Sequence, residues 1–388
     1  MALEVRTVAG EDLETLSRLL ALAFGNDVGR WRDYFDPGKN PRVDPESVYV
    51  LEEDGEVRAT ATVLPLEAYV EGRAVPVGGV AAVAAHPAYR RRGYAGELVR
   101  EALRRMRAGG VSLSMLWPFA HAFYRSFGYE LAGEAIEYRL EPGKLPTSPE
   151  QRNVRACCEK DLVRMMGLHE EAAARHRLCV RRGRAYWERL LGREEVEAAV
   201  YEQGDELEGY MLYETSPFEP AREPRRTMRV RELVWRTPQA LAGLLSLPAS
   251  LDPEVFGVRM WSPRGEPLHP YLRSSYVEAR VSPEQMLRIV DVRGALDLLR
   301  PRGSRALALD VRDELFPENE EEHVVGEGEI AGRVTLDVRR LAQLYAGYLP
   351  ARELARRGLI EPDTERALEV LEEILPVRDP WIFRPDHF

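Results

Sequence analysis

Lysine is almost missing from this sequence. Of its 54 basic residues only Lys39, Lys144 and Lys160 are lysines, a bias that genomic composition and adaptation to heat would both produce. Cysteine is equally scarce. Cys157, Cys158 and Cys179 offer neither a CxxC pair nor an even-numbered framework, so they read as small apolar side chains in a reducing compartment. No basic-then-apolar leader opens the chain; Met1 runs directly towards Glu11, Asp12 and Glu14. Long apolar runs are absent too. The longest uncharged stretch, 74–89, is too short to span a bilayer and contains Gly78, Gly79 and Pro87. Nor is there an excess of positive charge: 64 acidic residues leave a net charge of −10, which excludes general coating of nucleic acid. These absences predict a cytoplasmic protein with no membrane or nucleic-acid partner, and an acidic host suits cationic substrates.

What is present is a chain of 388 residues with 45% hydrophobic residues, enough for two or three cores. Residues 4–8 alternate as a strand, and 11–24 place Leu13, Leu16, Leu19, Leu20 and Phe24 on one helical face. Strands at 47–52 and 56–64 flank Asp54-Gly55, a two-residue hairpin signal. Strands at 67–70 and 74–85, a helix over 94–108, a strand at 112–116, a short helix at 120–127 and a last strand at 134–140 complete an α/β layer on a mixed sheet. A Pro/Gly/Ser loop at 141–150 marks a boundary. A second pass of similar rhythm follows: helices at 161–175 and 184–191, a hairpin across Gly204-Asp205, a strand at 229–235, a helix at 238–245 and a strand at 257–261. This reads as an internal duplication. After the loop at 262–270, Ser282-Pro283-Glu284-Gln285 has the N-cap, N1 and near-capping-box residues of a helix start. Strands at 307–311, 324–329 and 333–337 and short helices over 338–346, 351–358 and 362–375 close the chain. The predicted domains are 1–143, 144–281 and 282–388.

Chemistry concentrates where the strand 74–85 meets the next helix, at Arg90-Arg91-Arg92-Gly93-Tyr94-Ala95-Gly96. A basic turn with a small residue at the point of close backbone approach, opening a helix, builds an anion site suited to a pyrophosphate. Further on, Phe123-Tyr124-Arg125-Ser126-Phe127-Gly128-Tyr129 places a phenol just after the strand 112–116. Alone, such aromatics are core; after the basic turn they read as part of a site.

These two segments resemble the pyrophosphate loop and the aromatic-Tyr-x-x-x-Gly-aromatic signature of the Gcn5-related N-acetyltransferase (GNAT) superfamily. The whole chain resembles its Eis (enhanced intracellular survival) family: tandem GNAT folds, the second degenerate, then a sterol-carrier-protein-like α/β domain, all α+β mixed sheets. The resemblance implies an N-acetyltransferase using acetyl-CoA, with a cationic amine acceptor such as an aminoglycoside, a polyamine or a lysine. Val83, Ala84 and Ala85 would hold the pantetheine arm through their backbone. Arg91, Arg92, Gly93, Tyr94, Ala95 and Gly96 would bind the pyrophosphate, with Phe119 and Ala120 beside the cofactor. Tyr124 would be the general acid for the leaving thiolate, and the α-carboxylate of Phe388 the general base. Asn26-Asp27, Trp31 and Tyr34 match the acidic and aromatic acceptor pocket in kind, with Asp27 as the contact to the amine. The small Ala82 stands where some relatives carry a large aromatic, which implies a wider or differently shaped acceptor site and does not imply an antibiotic substrate. A homohexamer and no metal are implied as well.

The second pass lacks the basic loop: its strand 229–235 runs straight into Thr237-Pro238, so it reads as structural. His86 and His121 lie near the motifs without a visible partner and read as loop residues, and His169 and His176 make no metal site by themselves. Two other readings remain open, a non-catalytic acetyl-CoA sensor or scaffold, and a lipid-binding C-terminal domain.

Overall fold

The structure, a computed structural model, describes residues 3–25, 27–217, 226–251, 253–300 and 305–388. The chain divides into two compact units. One comprises the residues up to Gly133, Gln285–Arg378 and Phe388; the other comprises Glu134–Glu284 and Asp379–His387.

The first unit begins with β1 (Leu3–Thr7), α1 (Leu13–Phe24), α2 (Val28–Phe35), β2 (Val48–Glu53), β3 (Glu56–Val70) and β4 (Arg73–Ala85). Both hairpins turn through pairs of left-handed residues, Asp54-Gly55 at φ 52° and 81° and Glu71-Gly72 at φ 48° and 73°. Paired positive φ values give the turn whose twist matches the flanking strands. After β4 come α3 (Tyr94–Ala108), β5 (Leu113–Leu116), α4 (His121–Arg125) and β6 (Glu130–Leu131). α3 buries Leu98, Val99, Ala102, Leu103 and Met106, apolar residues at helical spacing.

The second unit is built from β7 (Glu134–Leu140), β8 (Val154–Ala156), α5 (Leu162–Ala173), α6 (Arg184–Leu191), β9 (Glu197–Gln203), β10 (Glu206–Thr215), β11 (Arg226–Trp235), α7 (Pro238–Ala249), β12 (Val255–Pro263) and β13 (Glu278–Pro283). Its sheet runs β13-β7-β12-β11-β10-β9-β8. β11 and β12 are parallel, with α7 as their crossover.

The chain then rejoins the first unit. β14 (Met286–Ile289) lies antiparallel between β5 and β6, giving the order β1-β2-β3-β4-β5-β14-β6. Beyond it are α8 (Val292–Asp297), β15 (Arg305–Arg312), β16 (Glu322–Gly326), β17 (Glu329–Asp337), α9 (Val338–Ala346), α10 (Ala351–Arg356), β18 (Ile360–Pro362) and α11 (Glu365–Ile374). These strands form a separate sheet ordered β16-β15-β17-β18.

Two local expectations are corrected. The strand at 134–140 does not close the first sheet; it pairs with β12 and β13 in the second unit, because alternation shows that a strand exists but not which partner it takes. Ser282–Gln285 does not start a helix. Pro283 ends β13 opposite Glu134, and Met286–Ile289 are all buried as a strand. A short apolar run does not distinguish helix from strand, and here the open edge of β5 decides. Arg288 on β14 is buried and donates to both Asp313 oxygens at 2.7 Å.

Candidate active site

β4 and β5 are parallel only over Gly78↔Ser114 and Gly79↔Met115. Ser114 donates to the Gly78 carbonyl at 2.9 Å and meets the Tyr129 hydroxyl at 2.7 Å, which pins the strands together at that point. Past it they separate, since β5 ends at Leu116 while β4 continues to Ala85. On its other side β4 carries a bulge: Thr60 pairs with Ala84 and Thr62 with Ala81, leaving Ala82 and Val83 opposite Ala61. Ala82 sits at φ 49°, a left-handed conformation costing about 1–2 kcal/mol for a residue with a Cβ. An extra residue in one strand bends it. The edge of Val83–Ala85 therefore faces an opening instead of β5.

That opening is a cleft of about 730 Å³ lined by Val83, Ala84, Ala85, Tyr89, Arg90, Arg91, Gly93, Tyr94, Ala95, Gly96, Ala23, Phe24, Phe119 and Phe123. At its basic end Arg91 (φ 65°) and Gly93 (φ 87°) are both left-handed, turning successive N–H groups outward. Gly93 is the N-cap of α3 and makes no side-chain cap, so the helix's first N–H groups and positive dipole end are left for an anion. Arg90 and Arg91 are exposed and make no ion pair among the described residues. Tyr94 is tied down, its hydroxyl donating to Glu53 at 2.6 Å.

Tyr124 projects from α4 into the core beneath the strand opening. It is 3% exposed and packs in one cluster with Val83, Tyr94, Leu116 and Phe127. Its hydroxyl has no hydrogen-bond partner among the described residues. Burial, and then nearby Tyr129, push its phenol above the ordinary tyrosine value, so it stays protonated. Phe119, 66% exposed, meets Tyr124 in an edge-to-face pair at 5.4 Å and lies tilted by 33° to Phe123 at 5.3 Å.

Phe388 lies on the opposite face of β4. Its ring meets Trp117 edge-on at 4.8 Å, and a Cβ on Gly79 would come within 2.9 Å of it. A side chain at residue 79 would thus evict the chain's last ring. Trp31, Tyr34, Ala82 and Phe388 all pack on one cluster with Leu64, Leu66 and Ala84. Phe24, a cleft-lining residue, contacts Trp31 at 5.5 Å, and Trp31 contacts Tyr34 at 5.3 Å.

Nine of the expected residues line the cleft. Tyr124 packs in the core cluster that includes Val83; Phe388, Trp31 and Tyr34 pack on another; and three more sit apart. Arg92 turns away over the Tyr89 ring at 4.9 Å, 3.7 Å from Glu53. Ala120 is the N-cap of α4 and does not line the cleft. Asp27 caps α2, accepting from the Gly29 N–H at 3.0 Å; it is exposed and outside the lining set. Asn26 lies outside the described residues. Tyr89, Ala23 and Phe24 were missed as lining residues. Tyr89 is held by Arg58 at 4.1 Å on β3, a contact no local pattern announces. His86 caps the turn before the basic loop, accepting from Ala88 N–H at 3.3 Å.

In the second unit the equivalent connection is only Arg236-Thr237. The Thr237 side chain accepts from the Ala240 N–H at 3.2 Å and Pro238 supplies no N–H, so that helix end is already filled.

Splayed parallel strands, a bulge, and an anion-binding loop at a helix N-terminus define the acetyl-CoA-dependent acetyltransferase class. Residues 4–132 match the family described as Acetyltransferase (GNAT) domain. Residues 178–289 match a second family of that description, and 292–383 match the sterol carrier protein domain. The chain is an N-acetyltransferase with two GNAT domains and a sterol carrier protein domain, Eis-like in architecture. It is 26% identical over 366 residues to an uncharacterized N-acetyltransferase of Streptomyces avermitilis, with 87% of each chain covered. In fold it is similar to a GCN5-related N-acetyltransferase from Anabaena variabilis (TM-score 0.87, 22% identity) and to Eis1 from Mycobacterium abscessus (TM-score 0.79, 20% identity), all chains covered in full. No helix among the described residues is long and apolar enough to cross a membrane.

Proposed function

We propose that the first unit transfers the acetyl group of acetyl-CoA directly to a primary amine of a cationic acceptor, an aminoglycoside, a polyamine or a lysine side chain. One observation carries the proposal: the cleft joins a free basic nest at Arg90–Gly93 to an unpaired edge of β4, with Tyr124 beneath it. The nest suits the pyrophosphate of the donor. The N–H and C=O groups of Val83–Ala85 suit its amide-bearing arm, as an added strand would. Tyr124 protonates the departing thiolate. The carboxylate of Phe388 takes the proton from the ammonium, since only a neutral amine attacks. Holding donor and amine side by side supplies the proximity contribution. Phe24, Trp31 and Tyr34 form the aromatic wall for a cation, and Asp27 at the start of α2 is the carboxylate the reading assigns to the amine. Cytoplasmic residence and a homohexamer belong to the same proposal through the resemblance in domain order; light scattering measures the second.

The test is thiol release from acetyl-CoA across polyamines, aminoglycosides and basic peptides. Release dependent on one amine class is expected. Silence across the panel, with acetyl-CoA binding seen as a thermal shift, would leave a binder without turnover.

A further inference from the structure

The basic loop at the start of α3 has a shape that its own sequence does little to favour. Arg91 is left-handed despite its Cβ, and Gly93 caps the helix without a side chain. The fastening comes from the end of β2. Glu53, the last residue of that strand and next to the Asp54-Gly55 turn, is 8% exposed. A carboxylate beside a turn could readily reach water, so its burial calls for partners.

Glu53 has three, all in the first unit. The hydroxyl of Tyr94, the first residue of α3, donates to it at 2.6 Å. Arg58 Nε lies 3.8 Å from its carboxylate and Arg92 Nη1 lies 3.7 Å away. The same two guanidiniums stack on the Tyr89 ring, Arg58 at 4.1 Å and Arg92 at 4.9 Å. The Arg58 carbonyl also accepts from the His86 N–H at 2.9 Å, where β4 gives way to the loop. Tyr89 before the loop, Tyr94 after it and Arg92 within it are thus drawn onto one buried carboxylate.

Two effects of Glu53 on a bound anion have opposite signs. Its charge sits behind the loop and repels a pyrophosphate. Its hold on Tyr94 and Arg92 keeps the loop in the shape that receives one, and donors fixed in advance remove an ordering cost from binding. Arg58 and Arg92 stand beside the carboxylate and offset its repulsion at close range. The hold is therefore the larger effect. It also explains why Arg92 faces away from the cleft while Arg90 and Arg91 line it.

We propose that Glu53 is a positioning residue for the acetyl donor: through Tyr94 and Arg92 it holds the 89–94 loop open to an anion, so that a buried carboxylate strengthens the binding of a pyrophosphate. This rests on reading that loop as the donor's pyrophosphate site.

The experiment is calorimetric titration of the full chain, native and as Glu53→Ala, Glu53→Gln and Tyr94→Phe. One ligand is acetyl-CoA; the other, read by displacement, is acetyl-pantetheine, which carries the thioester and the amide arm without the pyrophosphate. Glu53→Ala is expected to raise Kd for acetyl-CoA by about 10-fold or more, the scale of one hydrogen bond to a charged group. Glu53→Gln keeps an acceptor for the Tyr94 hydroxyl and should recover part of that loss. Tyr94→Phe removes a single oxygen, should weaken acetyl-CoA by less than Glu53→Ala, and serves where Glu53→Ala fails to fold. Kd for acetyl-pantetheine should be unchanged throughout. Unchanged or tighter acetyl-CoA binding in the folded variants would overturn the proposal, a tighter Kd making charge repulsion the larger effect. Equal weakening of both ligands would overturn it as well, since that is damage to the fold at large. A native chain that binds acetyl-CoA no more tightly than acetyl-pantetheine would remove the reading of the loop itself, and the proposal with it.

Discussion

A phenol donates a proton only while it holds one, and Tyr124 is placed so that it does. Burial beside Val83 and Leu116 raises it above the ordinary tyrosine value, so across the working range the donor form dominates and no loss of activity on its ionisation is expected there. Tyr124→Phe removes one oxygen from a packed site and should lower kcat by about 10²-fold or more, the scale of general-acid loss; a change confined to KM would assign Tyr124 to binding. At this scale the sequence was informative wherever the cleft is built locally. Arg91, Gly93 and Tyr124 stand at fixed spacings inside short motifs, and the cleft holds the first two with Tyr124 packed under it. Tyr89 escaped notice because its setting is made by Arg58 from another strand, and Arg92 was misplaced because adjacent arginines in a turn point different ways.

At the scale of an element, the loop between β4 and α3 is where charge and backbone cooperate. Arg90 and Arg91 have no carboxylate partner among the described residues, so their removal leaves no orphaned charge behind. The double variant Arg90→Ala/Arg91→Ala should raise KM for acetyl-CoA by roughly 10- to 100-fold, since a charge-assisted hydrogen bond contributes about 1.5–3 kcal/mol. Its KM should also depend less on salt, because fewer charges are left to screen. A double variant with the native KM and the native salt dependence would place the pyrophosphate elsewhere. Elements were legible when their signals were internal: Asp54-Gly55 closes its hairpin as expected, and Arg184–Leu191 is helical as its spacing predicts. β14 was not, because a strand that completes a distant sheet owes its form to the partner it finds.

At the scale of the molecule, the first sheet is discontinuous in sequence: β14 enters it from beyond residue 284 of the chain, and Arg288 there is paired with Asp313 in the buried interior. A Cβ on Gly128 would strike the Arg288 guanidinium, so the aromatic motif itself is shaped around this late strand. A fragment ending at Gly133 would expose the β5 edge and should show no cooperative unfolding transition; a sharp calorimetric peak from it would mean β14 is dispensable. The domain order could be read along the chain, whereas this return could not, since nothing local to 286–289 names its destination. The consequence reaches back to synthesis. A ribosome adding about 5–20 residues per second finishes β6 well before it makes β14, so the nascent catalytic sheet must wait on the order of ten seconds or more with an open edge. During that interval the second unit is being made, and the transferase becomes active only after the polypeptide that interrupts it has left the exit tunnel.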